Sequence, residues 1–228
     1  MKVRNLHNWN ADYKTAKKIQ EELSGRLILH NEGLPEDIKI IGGADISYSR
    51  GENLFFAAVI LLEFSTMDII EVSSVVEKVD FPYIPGLLTF REGPALLRAF
   101  EKIGGIPDVV IFDGQGIAHP RGIGLASHIG LFLDIPTIGC AKKRLVGIHG
   151  EIGTEVGDFS HLTYHDRVVG AVLRTKRNVK PVFISQGHKI DLEQAIEITL
   201  ASSRGYRLPE PTRRAHLTVN KLRLEHKG

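Results

Sequence analysis

The chain has 228 residues, of which 43% are apolar and 25% are charged, and this composition excludes a disordered or fibrous protein. A formal net charge of +2 does not by itself indicate nucleic acid, and no apolar run approaches the ~20 residues of a membrane-spanning helix. The single cysteine, Cys140, excludes an intrachain disulfide and favours a reducing compartment. We therefore expect one soluble, cytoplasmic domain over residues 1–228, with no membrane partner and no obligate protein partner.

The first predicted element is an amphipathic helix within residues 11–29. Its apolar residues recur at helical spacing from Ala16 to Leu27, which is typical of a helix lying on the surface of a larger body. Gly33 and Pro35 then interrupt the chain. We therefore expect residues 1–35 to form an N-terminal helical extension packed on the domain.

Three predicted strands follow, at residues 38–46, 55–64 and 69–79. Short polar links join them, the first around residues 49–53, and such links favour antiparallel hairpins. The pair Gly42-Gly43 lies inside the first strand, where glycine indicates either a bulge or the close approach of another segment. Asp45 lies near the end of that strand, where its carboxylate is available for chemistry.

A proline-stiffened loop follows the hairpins. Pro82 and Pro85 exclude regular structure, so the two residues between them, Tyr83 and Ile84, cannot fold back easily. We therefore expect Tyr83 to be presented to solvent.

The next predicted helix covers residues 94–103, with Gly93 as N-cap and Pro94 at the first helical position. The pattern Thr89-x-x-Glu92 also matches a capping box. A helix beginning at Thr89, however, would place Pro94 where its missing N–H breaks a hydrogen bond. The later start leaves Glu92 without a capping role and free for a functional one.

A short apolar strand at residues 109–112 ends in Asp113, followed by Gly114-Gln115-Gly116 and a predicted helix at 123–132. An acid at the end of a buried strand beside a glycine-rich, basic turn indicates a metal-assisted phosphate site, although Asp-Gly is also an ordinary turn. A dinucleotide fingerprint fails, because His119 occupies its third glycine position.

The remaining elements are a strand at 135–139, a hairpin of strands at 168–175 and 181–185, a turn at 185–188, and helices at 191–202 and from Pro209 onward. Residues 150–166 carry no clear pattern. Basic clusters lie at 142–144, 174–180 and 213–214, and each is either a solvated face or a nucleic-acid contact.

Strand runs followed by βα alternation predict a mixed α/β sheet flanked by helices. A right-handed crossover between neighbouring strands would bring Asp45 and Asp113 together at its centre. Carboxylates in one place repel each other unless a hard cation such as Mg²⁺ neutralises them. Two such ions would support in-line cleavage of a phosphodiester.

Four segments, FPYIPGLLTFREGP, VVIFDGQGIAHPRGIGLASHIGL, IPTIGCAKKRLVG and EPTRRAH, closely resemble the endonuclease V family, over about residues 42–216. The resemblance implies a ribonuclease H-like fold. It also implies a DNA repair endonuclease that hydrolyses the second phosphodiester bond 3′ to deoxyinosine with Mg²⁺, for which Mn²⁺ substitutes, leaving a 3′-hydroxyl and a 5′-phosphate.

By this resemblance, Asp45, Asp113 and Glu92 are the metal-binding and catalytic acids. Lys142 resembles the phosphate-side lysine, and a compact charge there would stabilise a negative transition state. His216 takes the place where related nuclease folds use a fourth acid, so it either ligates a second metal or steers the attacking water.

The resemblance also places the nucleic-acid contacts. The DNA-binding residues are Pro82, Tyr83, Ile84, Pro85, His119 and Arg121. Their PYIP segment matches the family's wedge, because side chains inserted between base steps unstack DNA. The flipped base would occupy a pocket formed by backbone groups near Gly86, Leu88, Gly114 and Leu125.

Three alternatives remain open at this point. Inosine in RNA is an alternative substrate, since the pocket reads the base. A non-cleaving binder on the same fold is a second alternative, which the retained acids disfavour. A nucleotide-dependent small-molecule enzyme is a third, which the failed glycine fingerprint disfavours.

Overall fold

The computed structural model describes residues 1–49 and 53–226. Its strands are β1 (Ile40–Ser49), β2 (Leu54–Glu63), β3 (Ile69–Lys78), β4 (Val109–Phe112), β5 (Thr137–Ala141), β6 (Phe159–Tyr164), β7 (Arg167–Leu173) and β8 (Val182–His188). Its helices are α1 (Tyr13–Ser24), α2 (Leu88–Lys102), α3 (Leu125–Leu133), α4 (Leu192–Ala201) and α5 (Glu210–Glu225). Every helix in the described residues is too short or too polar to cross a lipid bilayer.

Within the described residues the strands form one sheet of eight, in the order β3-β2-β1-β4-β5-β8-β7-β6. β1, β4 and β5 run parallel, while β2, β3, β6, β7 and β8 each pair antiparallel with their neighbours. The predicted mixed α/β fold and its antiparallel β1-β2-β3 start are confirmed. Of the predicted link at 49–53, residues 50–52 lie outside the described residues.

Two apolar cores cover the two faces of the sheet. The side chains of β4 show this clearly: Val110 and Phe112 enter the core beneath α2 and α3, while Val109 and Ile111 enter the core beneath α4 and α5. Successive side chains of a strand point to opposite faces, so a strand covered on both sides is apolar at every position. This is why the 109–112 run carries no alternation.

The parallel register places the two predicted acids side by side. Ala44 on β1 is aligned with Phe112 on β4, so the residues that follow, Asp45 and Asp113, lie beside each other. The predicted meeting of these two aspartates is confirmed. Asp45 nevertheless lies within β1, which continues to Ser49, and only Asp113 follows the end of its strand.

The predicted close approach at Gly43 is also present. A Cβ atom on Gly43 would overlap the backbone of Pro211, because the first turn of α5 packs directly on β1 at this position. The missing side chain therefore lets α5 lie against the sheet two residues before Asp45.

The predicted start of α2 at residue 94 is wrong. The helix begins at Leu88, with Leu87 as an N-cap that makes no side-chain cap hydrogen bond, and Pro94 lies inside it. Leu87 and Phe90 are fully buried against Ala16 of α1. Burial of these side chains outweighs the hydrogen bond that Pro94 cannot donate. As a result, Glu92 projects from a helical turn instead of a loop.

One prediction in the second half of the sheet is also wrong. Residues 185–188, expected to form a turn, belong to β8, where Ser185 pairs with Gly139 of β5. Residues 159–164, whose sequence carries no clear pattern, form the edge strand β6. Leu162 is the one fully enclosed residue of that strand, so its sequence lacks the alternation that predicts strands.

Candidate active site

Two carboxylates and one imidazole meet beside the end of β4, in the middle of the sheet. Asp45 comes from β1, Asp113 follows β4, and His216 reaches them from the second turn of α5. One ligand atom from each lies within 4.8 Å of the others. His216 Nδ1 lies 2.7 Å from Asp45 Oδ2. Among the described residues these three form a compact set of donors for a metal ion.

Asp45 and Asp113 both interact electrostatically with Glu92, although Glu92 is outside the compact set. Desolvation, followed by repulsion from Asp45, raises the pKa of Glu92 to about 8. Desolvation and Asp45 likewise raise the pKa of Asp113, partly offset by an ion pair with Lys142. The structure therefore brings together all five residues predicted to be catalytic, and His216 lies closer to the two aspartates than Glu92 does.

This donor set fits a hard divalent cation. Three carboxyl groups share the site, and their charges are poorly compensated by Lys142 alone, so two of them hold their protons more tightly than usual. Carboxylate oxygens are the ligands that Mg²⁺ prefers. A bound cation would remove the repulsion that raises these pKa values.

The hydrogen bonds around His216 define its tautomer. Arg223 Nη2 donates to Asn220 Oδ1 over 3.3 Å, which orients the amide so that Asn220 Nδ2 donates to His216 Nε2 over 3.0 Å. Nε2 is then an acceptor, and the neutral ring carries its proton on Nδ1, donating to Asp45. In this arrangement His216 supports Asp45 as a hydrogen-bond donor. The spacing of 216, 220 and 223 on one helix face is a signal that the sequence contained.

The basic residues of α5 are held by an acid that the sequence analysis missed. Glu210 is buried and accepts hydrogen bonds from Arg213 at 2.7 and 2.8 Å and from Arg214 at 2.9 Å. Arg213 also stacks over Tyr206, 4.1 Å from the ring centroid. The predicted 213–214 cluster is therefore oriented and partly neutralised, and the spacing Glu-x-x-Arg-Arg on a helix was the signal.

A small cavity is lined by residues that precede Glu92 and follow Asp113 in the chain. It has a volume of about 120 Å³. The predicted pocket residues Gly86, Leu88 and Leu125 line it together with Tyr83, Ile84, Thr89, Gln115, His119, Gly124 and Leu145. The fourth predicted residue, Gly114, lies behind the wall, where a Cβ atom would come within 3.2 Å of Leu125.

His119 and Arg121, predicted to contact substrate, both bond to the carbonyl of Gly86. The Arg121 backbone N–H donates to His119 Nδ1 over 3.2 Å, so His119 Nε2 carries the proton and donates to Gly86 over 3.1 Å. Desolvation lowers the pKa of His119 to about 4, which keeps this neutral tautomer at physiological pH. Only His119 lines the cavity; the Arg121 guanidinium points at Gly86 and Gln20.

The loop between the two prolines presents a single large side chain. Tyr83 is 67% exposed, as predicted. Ile84 is half-buried and packs against the cluster of Ala16, Leu87 and Phe90. Tyr83 is therefore the side chain of this loop that is available to insert between bases as a wedge.

Replacing Glu92 by glutamine is expected to stabilise the metal-free protein at alkaline pH. An acid whose pKa is raised on folding, from 4.5 to about 8 for Glu92, contributes stability below its unfolded pKa and loses it as pH rises through the folded value. In EDTA, urea unfolding should show Glu92→Gln and wild type equal near pH 4, and the variant more stable by roughly a few kcal/mol near pH 8.5. The exposed Glu101→Gln is the control, and parallel pH curves for Glu92→Gln and wild type would contradict the assignment.

The family model described as Endonuclease V matches residues 21–217. A protein named Endonuclease V from Dictyoglomus turgidum is 50% identical over 219 residues, covering 96% of this chain and 94% of the relative. The crystal structure of Endonuclease V from Streptomyces avermitilis superposes with a TM-score of 0.92 at 38% identity, covering 100% of both chains. Endonuclease V from Ciona intestinalis, solved with a 23mer DNA containing an inosine followed by a ribo-adenosine, has a TM-score of 0.81 at 28% identity, covering 91% of this chain and 95% of that one.

Proposed function

The chain belongs to the endonuclease V family of metal-dependent nucleases, and we propose that it hydrolyses the second phosphodiester bond 3′ to deoxyinosine in DNA. The products are a 3′-hydroxyl and a 5′-phosphate. The observation that carries this proposal is the meeting of Asp45 on β1 with Asp113 at the end of the parallel strand β4, together with a cavity walled by the loop that presents Tyr83. The two aspartates support cleavage chemistry, and the cavity supports base recognition.

In the proposed mechanism Asp45 and Asp113 would hold Mg²⁺, for which Mn²⁺ would substitute, and Glu92 would complete the acidic set. A bound ion would supply activation of water and stabilisation of the charge on the phosphate. His216 keeps Asp45 oriented through its Nδ1 hydrogen. Lys142, which is about one-third exposed while paired with Asp113, supplies a positive charge beside the scissile phosphate.

Base recognition is proposed for the cavity. Hypoxanthine carries a keto oxygen and an N1–H where adenine carries an amino group and an acceptor nitrogen. Backbone donors and acceptors near Gly86, Leu88, Gly114 and Leu125 distinguish these patterns because their positions are rigid. Tyr83 fills the space that the flipped base vacates, and Pro82 and Pro85 reduce the entropy lost on engagement.

Tyr83→Ala is expected to reduce the preference for inosine about tenfold, since stacking on one aromatic side chain is worth ~1–3 kcal/mol. Competition binding in Ca²⁺ between inosine-containing and undamaged duplexes measures this preference. Phe159→Ala removes an aromatic residue of similar exposure from the far edge of the sheet and serves as control. Equal losses on both duplexes for Tyr83→Ala would contradict a wedge.

The proposed function is tested by incubating the wild-type chain with end-labelled DNA and matching RNA, each carrying one inosine. With Mg²⁺, a nick one nucleotide beyond the inosine, absent with EDTA and absent from the adenine control, supports the proposal. Faster cutting of RNA would favour the ribonuclease alternative. Retention of inosine DNA without a nick would favour the binding-only alternative and overturn the proposal.

A further inference from the structure

Gln20 of α1 is a buried polar residue in a position where helical spacing calls for an apolar one. The buried stripe of α1 consists of Ala16, Gln20 and Leu23, and Gln20 is only 1% exposed. Burying an amide is unfavourable unless both of its ends are hydrogen-bonded. Gln20 therefore needs partners on the body of the protein.

Both ends of the Gln20 amide find partners at the cavity wall. Nε2 donates to the carbonyl of Gly86 over 3.1 Å, and Oε1 accepts from Arg121 Nε over 2.6 Å. The two bonds fix the orientation of the amide, because a flipped amide would set its oxygen against the Gly86 carbonyl. Gln20 thus links the N-terminal helix to two segments of the site.

The carbonyl oxygen of Gly86 has no capacity for a further hydrogen bond. Besides Gln20, it accepts from His119 Nε2 over 3.1 Å and from Arg121 Nη2 over 2.5 Å, while a carbonyl oxygen has only two lone pairs. Gly86 has φ of +79°, a left-handed conformation, and a Cβ atom would lie 2.7 Å from Arg121 Nη2. Three donors and a glycine-only backbone therefore hold this residue in one conformation.

Gly86 also connects the cavity, the loop that carries Tyr83 and the start of α2. It lines the cavity, lies three residues after Tyr83, and lies one residue before the buried Leu87 that caps α2. A displacement of its carbonyl would move the cavity wall and the loop that carries Tyr83 together.

We propose that Gln20 is a positioning residue that pre-organises residues 82–88, so that α1 contributes to base selectivity without touching substrate. The proposal rests on the proposed function, and it concerns a residue just outside the segment matched by the family, 21–217. Pre-organisation raises affinity by removing the entropic cost of ordering a loop on binding.

The test compares Gln20→Leu, which removes both hydrogen bonds at similar volume, with Gln20→Glu, which keeps the acceptor for Arg121 but sets an oxygen against Gly86. Lys18→Leu, at an exposed position of the same helix, is the matched control. The first readout is amide hydrogen exchange of the free protein. In both Gln20 variants we expect faster exchange at the amides of Leu87 and Phe90, which donate to the carbonyls of Ile84 and Leu87, with unchanged exchange in β1 and β4.

The second readout is single-turnover cleavage and Ca²⁺-supported binding. For Gln20→Leu we expect about tenfold weaker affinity for inosine DNA, near the effect of two modest hydrogen bonds, with the maximal cleavage rate and the affinity for undamaged DNA within about twofold of wild type. Gln20→Glu should show the same pattern. If one of the two variants does not fold, the other still tests the proposal.

Unchanged exchange at Leu87 and Phe90, or equal losses of affinity for inosine and undamaged DNA, would overturn the inference. A wild-type protein that does not cleave inosine DNA would overturn the proposed function instead, and the exchange experiment would still decide whether Gln20 holds the loop.

Discussion

Replacing Asp113 or Asp45 by alanine is expected to abolish cleavage while sparing DNA binding. Each substitution removes one of the two carboxylates that meet beside the end of β4. We expect a loss of at least about a thousandfold in single-turnover rate, or roughly 4 kcal/mol of transition-state stabilisation. Binding measured in Ca²⁺, which occupies oxygen sites with looser geometry, should change by less than about threefold.

The folded state should tolerate these substitutions. Desolvation and mutual repulsion raise the pKa of Asp113 and of Glu92, so removing one acid relieves the others. Asp68→Ala, at an exposed acid in the β2–β3 link, is the control for loss of negative charge. Near-normal cleavage by Asp45→Ala or Asp113→Ala in Mg²⁺ would refute the assignment of the metal ligands.

Gly43→Ala is expected to cause a large loss of stability together with a loss of activity. The added Cβ would overlap the backbone of Pro211, which cannot rotate away as a side chain does, so the first turn of α5 must move off β1. Overpacking of this kind costs about 1–3 kcal/mol, and moving the first turn of α5 also breaks the hydrogen bond between His216 and Asp45. Urea unfolding and cleavage rate should therefore fall together.

Gly25→Ala is the matched control, because its added Cβ would meet only the Glu22 carbonyl oxygen at 3.7 Å, an ordinary contact. Gly25 ends α1 in a right-handed conformation that alanine adopts easily. A Gly43→Ala protein as stable and as active as Gly25→Ala would show that α5 does not need this close approach.

The hydrophobic pattern of the sequence was sufficient to predict the central strands of the sheet. The apolar runs at β1, β2 and β4 predict strands whatever the order of the strands in the sheet. Because neighbouring parallel strands run in the same direction, Asp45 and Asp113 could be placed together from the sequence. Gly42-Gly43 indicated the close approach that α5 makes. The long FDGQG and EPTRRAH motifs supplied the family, which periodicity alone could not.

The start of α2 and the edge strand β6 were decided by tertiary packing. Leu87 and Phe90 extend α2 past Pro94 because α1, far away in the chain, completes a cluster around them. β6 forms because β7 offers it backbone partners, not because its own residues alternate. Propensity is a weak preference that such contacts override.

Sequence pattern and motifs were enough to predict the central strands, the meeting of Asp45 with Asp113, and the family of the chain. Tertiary packing was needed to show that His216 reaches Asp45 and that Gln20 reaches Gly86. Hydrophobic periodicity is local and survives in the sequence. A hydrogen bond between Gln20 and Gly86 joins residues 66 positions apart, and its geometry exists only once the elements have packed.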